Sequence, residues 1–223
     1  MKQVLLPGNA ITADILYSYL KCDARYEVVG VTVDDEFIES VGIESVRSVA
    51  ISQLKTAFSP DTVSIIMAMG YSNLNRDRES MFLRLREMGY EIETYVHPDA
   101  RIYSEYPLGN GCVVLPNSVI EPHVRVEENT MIWCNVTLAH HCSVAENCWV
   151  ASGAVVSGQA NVLRNSFIGV NATIVNEVIV GDFNVIGAAA MISKNTKAGT
   201  VHLARSAEPF RYSSDEYVKF FGV

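Results

Sequence analysis

Positive charge is scarce in this chain: 17 Lys and Arg stand against 25 Asp and Glu, leaving a formal charge of −8. Nucleic acids and anionic membrane surfaces are bound through accumulated positive charge, so neither is expected as a partner. Long apolar runs are missing as well. No stretch approaches the roughly 20 apolar residues needed to cross a bilayer. The start, MKQVLLPGNAITADIL, has a single Lys, a very short apolar run and then Asp14. It lacks the charged start, apolar core and cleavage site of a signal peptide, and a cytoplasmic location is expected. Cysteine is sparse: Cys22, Cys112, Cys134, Cys142 and Cys148 are odd in number and form no CxxC. They read as reduced, packed thiols rather than a disulfide framework. Apolar material is ample, with 49% hydrophobic residues in 223, enough for one large domain or two small ones.

What the sequence has in abundance is a period of six. Stepping from Val96 gives Val96, Ile102, Leu108, Val114, Ile120, Val126, Ile132, Leu138, Val144, Val150, Val156, Val162, Ile168, Ile174, Val180, Ile186 and Ile192, all in phase. The fifth residue of each hexad is usually small, as at Ala100, Cys112, Ser118, Thr130, Cys142, Cys148, Ala154, Ala160, Ser166, Ala172 and Ala190. One large inward side chain and one small one per six residues fit a short flat strand followed by a turn. Three such units close a triangular coil, and each coil stacks on the next through backbone hydrogen bonds. A helix with its 3.6-residue period does not explain the pattern, nor does a hairpin. Residues 96 to about 196 are therefore expected to form a parallel β-helix.

Residues 1–95 follow another rhythm. Val4-Leu5-Leu6 reads as a strand, Pro7-Gly8-Asn9 as a turn, and Thr12 to Lys21 as a helix. Glu27 to Val33 reads as a second strand ending at Asp34-Asp35. Val63 to Met69 reads as a buried strand, Gly70-Tyr71-Ser72-Asn73 as a turn, and Arg76 to Met88 as a helix stopped by Gly89. Such alternation predicts a small parallel sheet, a truncated Rossmann-like unit. The expected organisation is 1–95 as a Rossmann-like domain, 96–208 as the β-helix and 209–223 as a tail, with a terminal helix over Asp215 to Phe221.

Stacking every 18 residues places side chains in columns along each corner of the prism. His140, third in its hexad, shares a column with Gly158, Asn176 and Lys194. A histidine beneath a glycine offers an open slot, a base and an accessible backbone N–H. Acyl transfer needs such a pair, one for the attacking nucleophile and one for the developing oxyanion.

Residues 131–175, MIWCNVTLAHHCSVAENCWVASGAVVSGQANVLRNSFIGVNATIV, resemble the bacterial nucleotide-sugar N-acetyltransferases of the bacillosamine-pathway and NeuD type. The resemblance extends over essentially the whole chain. It implies a left-handed β-helix after the Rossmann-like unit, a homotrimer with active sites between subunits, and a role in surface glycan biosynthesis such as lipopolysaccharide or O-antigen. The family's catalytic histidine sits in a stretch like Glu-His-Asp/Glu-Cys, matched here by Ala139-His140-His141-Cys142. The resemblance thus implies a general-base role for His140 and an oxyanion-donor role for Gly158. His141 stands where the family has an acidic residue, so the group that orients the base is altered.

The resemblance also implies acetyl-CoA as acyl donor, lying in a groove between prisms; no metal is expected. Val170, Ala188 and Ala189 match positions lining that groove. Lys194, Lys197, Arg205 and Arg211 lie near the C-terminal end of the β-helix, where nucleotide phosphates need charge; solvated terminal residues would look the same. The family's usual Gly-x-Pro-Ala ending is replaced by Ala204-Arg205-Ser206-Ala207. The N-terminal unit would hold the nucleotide-sugar through Gly8 and Asn9, Asp34 and Asp35, and Gly70, Asn73 and Arg76. Each alone is equally well ordinary turn chemistry, but strand ends side by side favour a ligand crevice. His123 lies 18 residues before His141, so the two stack, and with His140 they suggest zinc; adjacent turn residues project differently, which disfavours it. Trp133 and Trp149 read as turn residues that wall a sugar pocket or pack between subunits.

The expected activity is acetyl transfer from acetyl-CoA to the amine of a nucleotide-linked amino-deoxy sugar. The alternatives are sugar O-acetylation, a β-helical zinc enzyme, and a non-catalytic binding module.

Overall fold

The computed structural model describes residues 1–39, 42–43 and 46–222. Its N-terminal part contains β1 (Lys2–Pro7), α1 (Ile11–Lys21), β2 (Tyr26–Val33), β3 (Ser48–Ala50), α2 (Leu54–Ala57), β4 (Ser64–Ile66), α3 (Arg76–Glu87) and β5 (Glu91–Glu93). All the pairings in its sheet are parallel, and the strand order is β3-β2-β1-β4-β5. β1 forms because Val4, Leu5 and Leu6 are all apolar and lose all exposure between the flanking layers, the usual pattern of a strand covered on both faces. α1 turns Thr12, Ala13, Leu16 and Leu20 inward, the helical spacing of one apolar stripe. α3 ends where Gly89 takes a φ of +88°, a conformation that glycine adopts without penalty.

Two elements escape a reading of apolar period. β3 and α2 are only a few residues long, too short to show a repeat. The strand expected over Val63 to Met69 pairs only at Ser64–Ile66, although burial continues through Ala68. There the apolar run outlasts the hydrogen-bonded ladder.

From Tyr95 onward the chain winds into a triangular prism of two-residue strands. Three sheets of seven, six and four strands form its faces. The first face holds Val113–Val114, Met131–Ile132, Trp149–Val150 and Phe167–Ile168, among others. The second holds Val119–Ile120, Thr137–Leu138, Val155–Val156 and their stacked neighbours. The third runs from Arg125–Val126 to Ile179–Val180. Partners stand 18 residues apart, as in Ile132↔Val150 and Leu138↔Val156, so the register drawn from the sequence is the one found. The last coil is shorter, Val185 pairing with Val201. The second residue of each strand enters the prism: Val114, Ile120, Ile132, Leu138, Val144, Val150 and Val156 have no exposure. Each such side chain contributes about 1.5–3 kcal/mol by leaving water. From Gly111 to Ala189 the fourth residue of each hexad takes positive φ, as at Asn117, Asn129, His141, Asn147, Gln159 and Asn165. This is the α/β unit and left-handed β-helix expected from the sequence.

The two parts share a core. Outward residues of the first face, Val113, Met131 and Trp149, pack in one cluster with Val4, Leu6 and Leu16 of the sheet unit. Arg78 of α3 is fully buried at this seam. Its guanidinium donates to the carbonyls of Gly70, Asn147 and Cys148 at 3.1, 2.9 and 3.1 Å, and to Asn75 Oδ1 at 2.9 Å. Burial pushes its pKa down to about 10, which leaves it charged at neutral pH. Trp149 is therefore neither a turn residue nor the wall of a pocket: it sits in a strand, packed within the chain against Tyr71 and near Arg78. Trp133 stacks on it with ring centroids 5.0 Å apart. The tail carries α4 (Ser214–Phe221), started by a Ser213/Glu216 capping box.

Candidate active site and nucleotide cleft

The turn that carries His140 runs from Ala139 to Cys142 and is closed by Cys142 N–H donating to Ala139 O at 3.1 Å. One coil up, Ala160 N–H donates to Ser157 O at 3.2 Å, so the two turns have the same build. Gln159 N–H donates to His140 O at 3.0 Å and locks one turn over the other. Both turns lie at the vertex between the second and third faces, because they link Thr137–Leu138 to Ser143–Val144 and Val155–Val156 to Asn161–Val162.

At this vertex the ring of His140 lies against Gly158. A Cβ built on Gly158 would stand 2.6 Å from His140 Cε1 and 2.8 Å from Nε2, closer than real side chains approach. Gly158 has no unusual φ, so the glycine is needed for space rather than for backbone freedom. The amide of His140 itself donates to Glu121 Oε2 at 2.8 Å. Among the described residues, nothing accepts from the equivalent amide of Gly158. The turn thus offers a base and an uncommitted N–H side by side.

His141, at the left-handed turn position, reaches His140 through a contact of 3.3 Å between the two Nδ1 atoms. One of the two nitrogens must carry the proton. Below it His123 stacks on His141, with centroids 4.4 Å apart, and His123 Nδ1 meets Glu105 Oε1 at 2.6 Å. Among the described residues no group of three His, Cys, Asp or Glu side chains is placed to hold a metal ion. Cys142, next in the chain, faces the core and burial pushes its thiol up to about 12. Glu105 and Glu121 escaped the sequence reading. Glu105 precedes His123 by 18 residues, so the same column arithmetic would have found it.

The residues expected near acetyl-CoA lie elsewhere on the prism. Val170 is 47% exposed, and Ala188 stands one coil above it at the vertex between the first and second faces; Ala189 N–H donates to Val170 O at 2.8 Å. Lys194 and Arg205 are exposed. Within one chain these residues and His140 therefore occupy different vertices.

The ends of β1, β2 and β4 open into a cleft of about 570 Å³. Gly8, Asn9, Asp34 and Gly70 line it as expected, joined by Phe37, Met69, Ser72, Asp77, Ser80 and Arg84. Asp34 Oδ1 pairs with Arg84 at 2.6 Å across the cleft. The other expected residues are not among those that line it. Asp35 turns back to accept from Ser52 Oγ and Ser52 N–H, which hold its carboxyl below the usual range. Asn73 donates to Asp77, and Arg76 lies over the Phe183 ring at 4.3 Å. The turn Asn73-Leu74-Asn75 takes three successive positive φ values before α3 begins.

Residues 108–140 match the bacterial transferase hexapeptide (six repeats) family. No curated protein sequence matches the chain. Among solved structures, the acetyltransferase domain of PglB from Neisseria gonorrhoeae FA1090 superposes with a TM-score of 0.77 at 20% identity, over 94% of this chain and 100% of that one. A variant of perosamine N-acetyltransferase from Caulobacter crescentus, in complex with CoA and GDP-perosamine, gives 0.79 at 18% identity over 92% and 94%. WeeI from Acinetobacter baumannii AYE gives 0.78 at 15% identity over 90% and 96%. The likeness is one of fold.

Proposed function

We propose that the protein transfers the acetyl group of acetyl-CoA to the amine of a nucleotide-linked amino-deoxy sugar. The observation that carries this reading is the His140 ring seated on the Gly158 peptide, beside an N–H that nothing among the described residues takes. In the arrangement that suits the chemistry, His140 donates a hydrogen bond from its Nδ1–H to His141 Nδ1 and keeps the Nε2 lone pair free. Nε2 then takes a proton from the neutral amine as the nitrogen attacks the thioester carbonyl. The Gly158 N–H donates to the oxygen on which negative charge grows, and the thiolate of CoA leaves. The perosamine N-acetyltransferase variant of similar fold is a complex with CoA and GDP-perosamine, the released thiol and the kind of nucleotide-sugar that this reading requires.

The cleft supports a nucleotide at the other end of the substrate. Its floor is the backbone at Gly8 and Gly70, and Asp34 stands at a strand end, where carboxylates accept ribose hydroxyls. The sheet unit packs on the first face, whereas His140 occupies the vertex opposite that face. A nucleotide-sugar held by one chain therefore meets the histidine of a second copy more readily than its own. The separation of Val170 and Ala188 from His140 within one chain argues the same way. Both support a homotrimer in which neighbouring prisms complete each site.

The experiment is thiol release from acetyl-CoA across UDP-, dTDP- and GDP-linked amino sugars, with the product then treated with mild base. Thiol release with a base-stable amide product is expected. A base-labile ester would replace the reading with O-acetylation, and no release with any sugar would leave a binding module.

A further inference from the structure

At the prism's other two vertices the left-handed turn position is held most often by asparagine, at Asn117, Asn135 and Asn171 on one and Asn129, Asn147 and Asn165 on the other, with Gly111, Gly153, Phe183 and Ala189 in the remaining places. Asparagine suits that backbone best after glycine. At the vertex of His140 the same position holds His123, His141, Gln159 and Glu177, with φ of 66°, 60°, 60° and 63°. Histidine is itself tolerated in this conformation, so the backbone alone does not single out His123 and His141; their contacts do. His141 touches His140 through nitrogen, His123 stacks on His141, and Glu105 grips His123 twice, at ring Nδ1 (2.6 Å) and at the backbone N–H (3.2 Å). A carboxylate is thus joined to the base through two rings.

We propose that Glu105, acting through His123 and His141, is the positioning carboxylate of this site; the proposal rests on the acetyl-transfer reading above. His123, fixed with its Nδ1–H on Glu105, forms a platform for the ring of His141. The platform sets His141 Nδ1 where it accepts from His140. The negative charge favours the imidazolium that His140 becomes after taking the proton. Glu105 is available for this role as a carboxylate, because backbone donors and His123 hold its carboxyl below the usual range. Glu121 and Arg125 also lie beside the cluster. Glu121 holds the His140 amide at 2.8 Å. Arg125, 3.6 Å over the Tyr106 ring, borders the hollow that His123 and His141 line on the third face. Neither contacts the ring of His140, so among these charges only Glu105 reaches the base through a chain of rings.

The test has a readout without substrate and one with it. Ring 15N spectra of the full-length protein are expected to show His123 protonated at Nδ1. Glu105→Ala is expected to return it toward the Nε2–H form that a free imidazole prefers. With substrates, Glu105→Gln is expected to lower kcat roughly threefold to tenfold, the range of coupling within one hydrogen-bonded network, with KM unchanged. Losing the negative charge disfavours the protonated base, so the rise of kcat/KM with pH should begin at lower pH; a merely structural defect would lower the rate without moving the rise. His141→Glu sets a carboxylate beside the base, and in that background Glu105→Gln should be silent. A wild-type His123 protonated at Nε2, an unmoved pH profile in Glu105→Gln, or an equal loss in both backgrounds would overturn the proposal. Absence of any acetyl transfer by the wild type would instead remove the functional reading, and the ring spectra would still decide whether Glu105 holds His123.

Discussion

The imidazole of His140 occupies the space that a side chain on Gly158 would need, with 2.6 Å separating its Cε1 from the position of a Cβ there. The two residues are 18 apart, so their meeting is a consequence of coil length. Any insertion between them would abolish it.

Gly158→Ala therefore displaces the ring of His140 rather than the fold, because the ring is the exposed end of a side chain. Misplacing a catalytic group by about 1 Å commonly costs about 100-fold. We predict a loss in kcat of roughly 10- to 100-fold with less than about 1 kcal/mol change in stability, read by steady-state kinetics and thermal melting. Wild-type kcat in this variant would argue against the contact having a catalytic role.

In the cleft, Asp34→Ala removes the carboxylate proposed to take ribose hydroxyls and frees Arg84 from its ion pair. Its contribution is to binding the remote part of the substrate. KM for the nucleotide-sugar should rise roughly tenfold, with kcat little changed. The pair is partly exposed, so stability should move by less than about 1 kcal/mol. A fall in kcat without a rise in KM would contradict the assignment.

Arg78 joins the sheet unit to the prism through the carbonyls of Asn147 and Cys148. Arg78→Ala leaves those buried acceptors short of a donor and opens a cavity. A destabilisation of about 3–5 kcal/mol is expected. For a chain of this size that corresponds to a fall of roughly 10 °C in melting temperature. The expected boundary near residue 95 separates two sequence rhythms, and we propose that the shared core makes both sides unfold in one transition. Two resolved transitions in the wild type would contradict this.

Burial pushes the thiols of Cys112, Cys142 and Cys148 up to about 12, whereas Cys22 is exposed. At pH 8 the three buried groups are almost wholly protonated as well as shielded, and the thiolate is the nucleophile. Alkylation of the native protein followed by peptide mass mapping should label Cys22 and spare those three until denaturant is added. Rapid native labelling of Cys142 would show that the turn beneath it opens readily.

The prism was legible because its repeat is strict: one aliphatic residue every six fixes strand, turn and register together, and the column of His140 and Gly158 follows by addition. The same addition reaches Glu105 from His123, but a glutamate on a turn gives no signal until the stacking of His123 on His141 is seen. In the sheet unit the strand ends were legible from Gly8, Asp34 and Gly70. Their neighbours Asp35, Asn73 and Arg76 were not separable from them, because only backbone angles decide that Asp35 turns to Ser52 and Asn73 to Asp77. Trp149 misled because bulky outward residues suggest a partner chain; here the partner is the protein's own N-terminal part.

The account centres on His140 as the base for amine attack. The most direct measurement is kcat/KM of His140→Asn, compared with wild type on the nucleotide-sugar found in the screen. General-base removal predicts a fall of roughly 100-fold or more with the fold and nucleotide binding intact. Turnover equal to that of the wild type would contradict it.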